Sequence, residues 1–170
     1  MSLQIRKATE ADVPLIHWFI QQLADYERLL HEAVMTEETL RESLFGSHPS
    51  AEVLLGYYAD KPVGFAVFFH NFSTFIGRRG LYLEDLFVIP EMRGKGFGRA
   101  LLLHLANIAR ERNCGRFEWA VLDWNKPAIE FYKKLGAVPL DEWTIFRVTG
   151  EALTRLAKEG SKQEGKGGQK

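Results

Sequence analysis

The segment Arg93-Gly94-Lys95-Gly96-Phe97-Gly98-Arg99 limits what this chain can fold into more than any other. It stands between a predicted strand over residues 80–88, closed by Pro90, and a strongly apolar helical run predicted over residues 99–112. Glycines let a backbone turn tightly and bring its N–H groups close to a ligand, and a helix N-terminus favours negative charge. Arg93, Lys95 and Arg99 add cations for phosphate oxygens. A plain strand-to-helix turn also uses glycines, but three alternating glycines interleaved with three basic residues suit a pyrophosphate. A dinucleotide fingerprint would need G-x-G-x-x-G, and the third glycine is out of register because Arg99 follows Gly98. Gly160 to Lys166 has the glycine–lysine spacing of a Walker loop, but Gly167 replaces the hydroxyl residue and no strand precedes it.

The rest of the chain surrounds that unit with strands and helices. Residues 3–8 alternate as a first strand, with Leu3 and Ile5 against Gln4 and Arg6. Thr9 or Asp12 caps the next helix, with Pro14 tolerated in its first turn. Leu15, Ile16, Phe19, Ile20 and Leu23 then recur at helical spacing. Thr36 opens a second helix, where Glu37 and Glu38 suit the positive end of the dipole, and Gly46 to Ser50 breaks it. Strands are predicted over residues 52–58, 63–71 and 80–88, the first two joined by Ala59-Asp60-Lys61-Pro62. Beyond the apolar helix come a strand over 117–122, a helix over 127–135 stopped by Gly136, and a last strand over 144–148. This order predicts an α/β (α+β) fold, with a mostly antiparallel central sheet, flanking helices and one parallel strand–helix–strand unit. Residues 1–158 form one expected domain. Residues 159–170, reduced almost wholly to Gly, Ser, Lys, Gln and Glu, read as a polar tail without a core.

Composition removes several classes of function. The 22 basic residues balance the 22 acidic ones, so no net charge draws the chain to nucleic acid or to an acidic membrane. No apolar run approaches the ~18 residues that span a bilayer. The start Met1-Ser2-Leu3-Gln4-Ile5 lacks the apolar core of a signal peptide. Cys114 is the only cysteine, which excludes an internal disulfide and fits a reducing, cytoplasmic compartment. It sits in the helix-ending turn Asn113-Cys114-Gly115 and is a poor nucleophile candidate. His17, His31, His48, His70 and His104 have no metal-ligand spacing among themselves or with Cys114, so no metal is expected.

At its phosphate loop the sequence resembles the GNAT superfamily of N-acetyltransferases. The coenzyme A loop of that family reads Arg or Gln, two residues, Gly, one residue, then Gly or Ala, positions held here by Arg93, Gly96 and Gly98. Further motifs resemble the diamine acetyltransferases of the spermidine/spermine and thialysine branches. They are Tyr82-Leu83-Glu84-Asp85-Leu86-Phe87-Val88, Asp123-Trp124-Asn125, Phe131-Tyr132-Lys133, Gly136-Ala137, and Tyr26-Glu27 near the end of the first helix. The match covers nearly all of residues 4–158.

The resemblance implies a central sheet of six or seven strands and acetyl-CoA as cosubstrate. It implies cofactor contacts from Leu86, Phe87, Val88, Arg93, Gly94, Lys95, Gly96, Phe97, Gly98, Arg99, Asn125, Pro127 and Ala128. It also implies an amine site at Tyr26, Glu27, Glu84 and Asp85, and a homodimeric assembly. The implied catalytic pair is Glu84 as base, through water, and Tyr132 as acid.

Acyl transfer to an amine explains why such residues are needed. An aliphatic amine, with a pKa of about 10, is an ammonium ion near neutral pH and must lose a proton before it attacks. The departing thiolate then needs a proton, which a phenol can donate. Glu84 and Asp85 are adjacent acids in an apolar strand, where carboxylates are costly unless used or paired. Strand alternation would send them to opposite faces. A structural salt bridge accounts for Asp85 as well as function does, helix capping accounts for Asn125, and core packing with one satisfied hydroxyl accounts for Tyr132. The Ser73 and Phe75 positions are aspartate and tryptophan in the spermidine/spermine branch, while the thialysine branch also has serine at the first. The expected acceptor is therefore a small primary amine with one or two charges: thialysine, a lysine-like amino acid or a short diamine. A protein or aminoglycoside amine, or an acyl-CoA-binding module without catalysis, stays open at this stage.

Overall fold

The computed structural model describes residues 2–164, and its chain divides into two compact units, Met1–Val121 and Leu122–Lys170. The first unit holds β1 (Gln4–Lys7), α1 (Val13–Tyr26), α2 (Glu37–Phe45), β2 (Glu52–Tyr58), β3 (Lys61–Ser73), β4 (Arg78–Val88), α3 (Phe97–Glu111) and β5 (Phe117–Trp119). The second holds α4 (Lys126–Lys134) and α5 (Gly150–Glu164). The five strands form one sheet in the order β1-β2-β3-β4-β5. The first four are antiparallel, and β5 pairs parallel to β4 after the α3 crossover.

Local chemistry sets the boundaries. Thr9 and Asp12 close the short turn Glu10–Asp12 that leads into α1, where the Asp12 carboxylate accepts from the Thr9 N–H at 2.8 Å and from its hydroxyl at 3.0 Å; Asp12, at the N-cap of α1, makes no side-chain bond to that helix. Arg6 closes a two-pronged ion pair on Asp12 at 2.7 and 2.8 Å, which holds that carboxyl well below the usual range. Before α2 the hydroxyls of Thr36 and Thr39 each accept the other's backbone N–H, at 3.1 and 2.9 Å. α1 ends in a Schellman turn, with Leu29 N–H donating to Ala24 O at 2.8 Å and Arg28 in the left-handed region at φ 63°.

Two apolar layers sandwich the sheet of the first unit. Ile16, Phe19 and Leu23 of α1 pack on Val53, Leu55, Phe65, Val67 and Phe87. The Phe19 and Phe65 rings stack with centroids 5.1 Å apart. The other face takes α3: a Cβ built on Gly56 would lie 3.8 Å from Leu101. At its edge Glu52 binds Lys7 at 2.8 Å and both terminal nitrogens of Arg112, which lowers its carboxyl to about 2.

Two expectations change. The sheet has five strands rather than six or seven, because residues 144–148 have no strand partner among the described residues. Their β-branched and aromatic content favours a strand only where a neighbour completes the ladder. The polar stretch after Glu159 continues the helix α5 as far as Glu164, and residues 165–170 lie outside the described residues. Among the described residues no helix is long and apolar enough to cross a membrane, and no group of three or more acidic, histidine or cysteine side chains could hold a metal.

Candidate active site

In the first unit the implied site residues gather where β4 ends and α3 begins. Opposite β3, Asp85 faces Val67 and Leu83 faces Phe68, so the register skips Glu84. This is a β-bulge, two residues of β4 set against one of β3. It cancels the simple alternation that would separate the two acids. Asp85 takes the α1 side with Val67 and Phe87, and its carboxyl is pushed up to about 7, first by burial and then by the charges of Glu84 and Glu27. Burial also pushes Glu27 up. Glu84 itself is exposed. None of these three carboxylates enters an ion pair among the described residues. A salt bridge therefore does not explain Asp85 here.

The loop after β4 has the shape its glycines foretell. Gly94 and Gly96 adopt φ of 76° and 81°, and a Cβ built at either meets nothing within 4 Å. They are required by backbone conformation, and the space beside them is open. Gly96 is the N-cap of the 15-residue α3, whose first N–H groups have no partner inside the helix. Gly94, Lys95, Gly96 and Arg99 are exposed, whereas the Phe97 ring is buried against Tyr58 at 5.1 Å. Leu86 is half-buried, and Phe87 and Val88 are buried. The loop is thus a ready anion site made of backbone.

Arg93 behaves differently from the other cations. Its Nε donates to Val88 O at 2.9 Å, and its guanidinium carbon lies 4.2 Å from the Tyr26 ring centroid and 5.3 Å from that of Phe87. Tyr26 belongs to the last turn of α1, just before the left-handed Arg28. No sequence periodicity announces this contact.

In the second unit Asn125 caps α4, its side-chain oxygen accepting from Ala128 N–H at 3.4 Å, with Pro127 in the first turn. The capping account of Asn125 therefore holds, and it leaves the side-chain N–H₂ available for a ligand. Tyr132 is partly buried on the same helix, its ring 5.4 Å from Phe131, and burial raises its phenol above the ordinary value. Such a phenol stays protonated throughout neutral pH.

Ser73 and Phe75 separate in role. Ser73 is buried at 6% exposure and its hydroxyl accepts from Ile76 N–H at 3.3 Å, inside the β3–β4 turn. It is not a surface loop residue. Phe75 stands at the tip, 97% exposed.

The chain matches known proteins over most of its length. The Acetyltransferase (GNAT) family model matches residues 16–137. Thialysine N-epsilon-acetyltransferase of Sus scrofa is 40% identical over 167 residues, covering 92% of this chain and 98% of that protein. L-ornithine N5-acetyltransferase of Arabidopsis thaliana is 35% identical over 203 residues, covering 93% and 89%. Among solved structures, an integron cassette protein from the mobile metagenome of V. cholerae matches with a TM-score of 0.78 and 32% identity over 93% of this chain and 99% of that one.

Proposed function

Since this chain belongs to the GNAT acetyltransferase family and is an acetyl-CoA-dependent N-acetyltransferase, we propose that it acetylates a small primary amine carrying one or two positive charges. Thialysine, lysine-like amino acids and short diamines are the candidate acceptors. The observation that carries this reading is the trio Glu27, Glu84 and Asp85, three carboxylates without an ion-pair partner among the described residues. A compact anionic site suits one short ammonium compound. The names of the relatives, a thialysine and an ornithine acetyltransferase, support the same class.

The open, left-handed loop at Gly94 and Gly96 fits a pyrophosphate, so Gly94, Lys95, Gly96, Phe97, Gly98 and Arg99 would hold coenzyme A there. Leu86, Phe87, Val88, Asn125, Pro127 and Ala128 would line its pantetheine arm. Acetyl-CoA, when bound, supplies an activated acetyl thioester and departs as the thiol. The chain's own residues manage the protons. Tyr26, Glu27 and Asp85 hold the ammonium form, and a Glu84 carboxylate oxygen takes its proton through water. Tyr132 keeps a proton on Oη for the leaving sulfur. Residues 1–158 would serve as the catalytic domain, in a cytoplasmic homodimer.

Comparing kcat/KM for thialysine, a short diamine, spermine and a lysine-containing peptide tests the acceptor. The expected order puts thialysine or the diamine at least tenfold above spermine and the peptide. A preference for spermine, or activity confined to the peptide, overturns it. Ultracentrifugation should find twice the chain mass.

A further inference from the structure

We propose that Arg93 is a positioning residue for the amine site, tying the Tyr26 wall to the phosphate loop, so that cofactor and amine bind cooperatively. The proposal rests on the acetyltransferase reading above and adds a coupling to it. Arg93 opens the loop, directly after the short turn Pro90–Met92, and its N–H donates to Pro90 O at 3.1 Å. A cation placed there to pair phosphate would extend into the open space beside Gly94 and Gly96. It turns back instead. Its Nε is spent on Val88 O, and its guanidinium carbon lies 4.2 Å from the Tyr26 ring centroid and 5.3 Å from that of Phe87, rings whose own centroids are 6.4 Å apart.

Three elements therefore meet on one side chain: the last turn of α1, the end of β4 and the start of the loop. A guanidinium can do this because it donates from its edge while its face stacks, which an ammonium cannot reproduce. An anion that draws the loop's N–H groups onto itself fixes Arg93, and a fixed Arg93 fixes the Tyr26 ring at the amine site. Linkage makes the effect reciprocal: amine binding must tighten cofactor binding by the same factor.

The test is calorimetric titration of acetyl-CoA alone, together with steady-state kinetics, on wild type, Arg93→Met, Arg93→Lys and Tyr26→Leu. Thermal melts confirm folding, and Arg93→Lys keeps the charge if Arg93→Met folds poorly. The expected result is an amine KM raised about 3- to 30-fold in Arg93→Met, the range of a cation–π contact. Its acetyl-CoA Kd in the absence of amine should move less than about threefold. Arg93→Lys should restore less than half of the loss, and Arg93→Met should add little on top of Tyr26→Leu in a double-mutant cycle. An acetyl-CoA Kd weakened tenfold with amine KM unchanged overturns the proposal and makes Arg93 a phosphate ligand. Full additivity with Tyr26→Leu also overturns it. A wild-type protein that binds acetyl-CoA but releases no coenzyme A with any amine defeats the acceptor reading instead, a separate result.

Discussion

The two units hold the side chains proposed for catalysis by different means. In the first, the acids and the phosphate loop are mounted on strands whose inner residues are wholly excluded from water, such as Phe65 and Leu55 at 0% exposure. Burial there is strong enough to drag the Asp85 carboxyl up to about 7. In the second, α4 carries Tyr132 and Asn125 yet has no fully buried residue, and Trp143, Ile145 and Phe146 are exposed. The lesson is that electrostatic tuning of the carboxylates draws on a packed core, whereas a phenol needs little tuning to serve as an acid at neutral pH.

The sharpest way to break that contrast is Tyr132→Phe. It removes one hydroxyl from the sparsely packed unit, and turnover should fall by ~10²–10⁴-fold while acetyl-CoA affinity and melting temperature hold. Single-turnover kinetics show whether chemistry limits the rate; a loss below a few-fold under that condition removes Tyr132 as the acid. Next in size is Phe65→Ala in the packed unit. It opens a cavity beneath Phe19 and should cost about 3–5 kcal/mol in denaturant unfolding. A cost under 1 kcal/mol would mean that the stacked pair is not what holds α1 to the sheet.

A smaller effect, with a pH signature, is expected at Asp85. Its carboxyl titrates at about 7 when folded but near ~3.9 when unfolded. Between those values the folded state keeps a proton that the unfolded state has lost. The contribution of Asp85 to stability is thus largest below about pH 4 and declines as pH rises to about 7. Asp85→Asn should flatten that decline and add on the order of 1–3 kcal/mol at pH 8, discounted for partial exposure. An unchanged slope would mean that Asp85 is not the group titrating. Smallest of all is Phe146→Ser in the second unit. At 89% exposure it should shift stability by no more than about 0.5 kcal/mol. A larger drop would show that this ring is covered in the working assembly.

Much of the fold was readable because it follows from short-range rules. β2 over residues 52–58, the Thr36 cap, the Gly46 stop and the loop from Gly94 to Gly98 all appear where propensity and turn chemistry put them. What escaped depends on partners distant along the chain. Alternation could not foresee the bulge at Glu84, since a bulge exists only relative to β3. Nor could the loop motif foresee that Arg93 turns toward Tyr26, a contact between segments joined only by folding. The 144–148 prediction failed for the same reason in reverse: strand-forming residues without a paired neighbour. α5 was hidden because it starts on Gly150 and carries Gly160 in its interior, and only proline favours a helix less than glycine.

The bulge also changes the arithmetic of β4. Before it, odd-numbered positions look one way: Leu83 stands opposite Phe68, whose ring is 5.7 Å from Arg112 at the end of α3. After it, odd-numbered positions look the other way, toward α1, as Asp85 and Phe87 do. Glu84 is the comma at which parity reverses. Deleting it would leave every residue chemically intact and yet put half of the strand out of phase, offering Leu81 and Leu83 to the wrong layer or withdrawing Asp85 and Phe87 from the right one. A strand of this kind cannot be lengthened or trimmed by one residue on either side. Substitution is open to it; insertion is not.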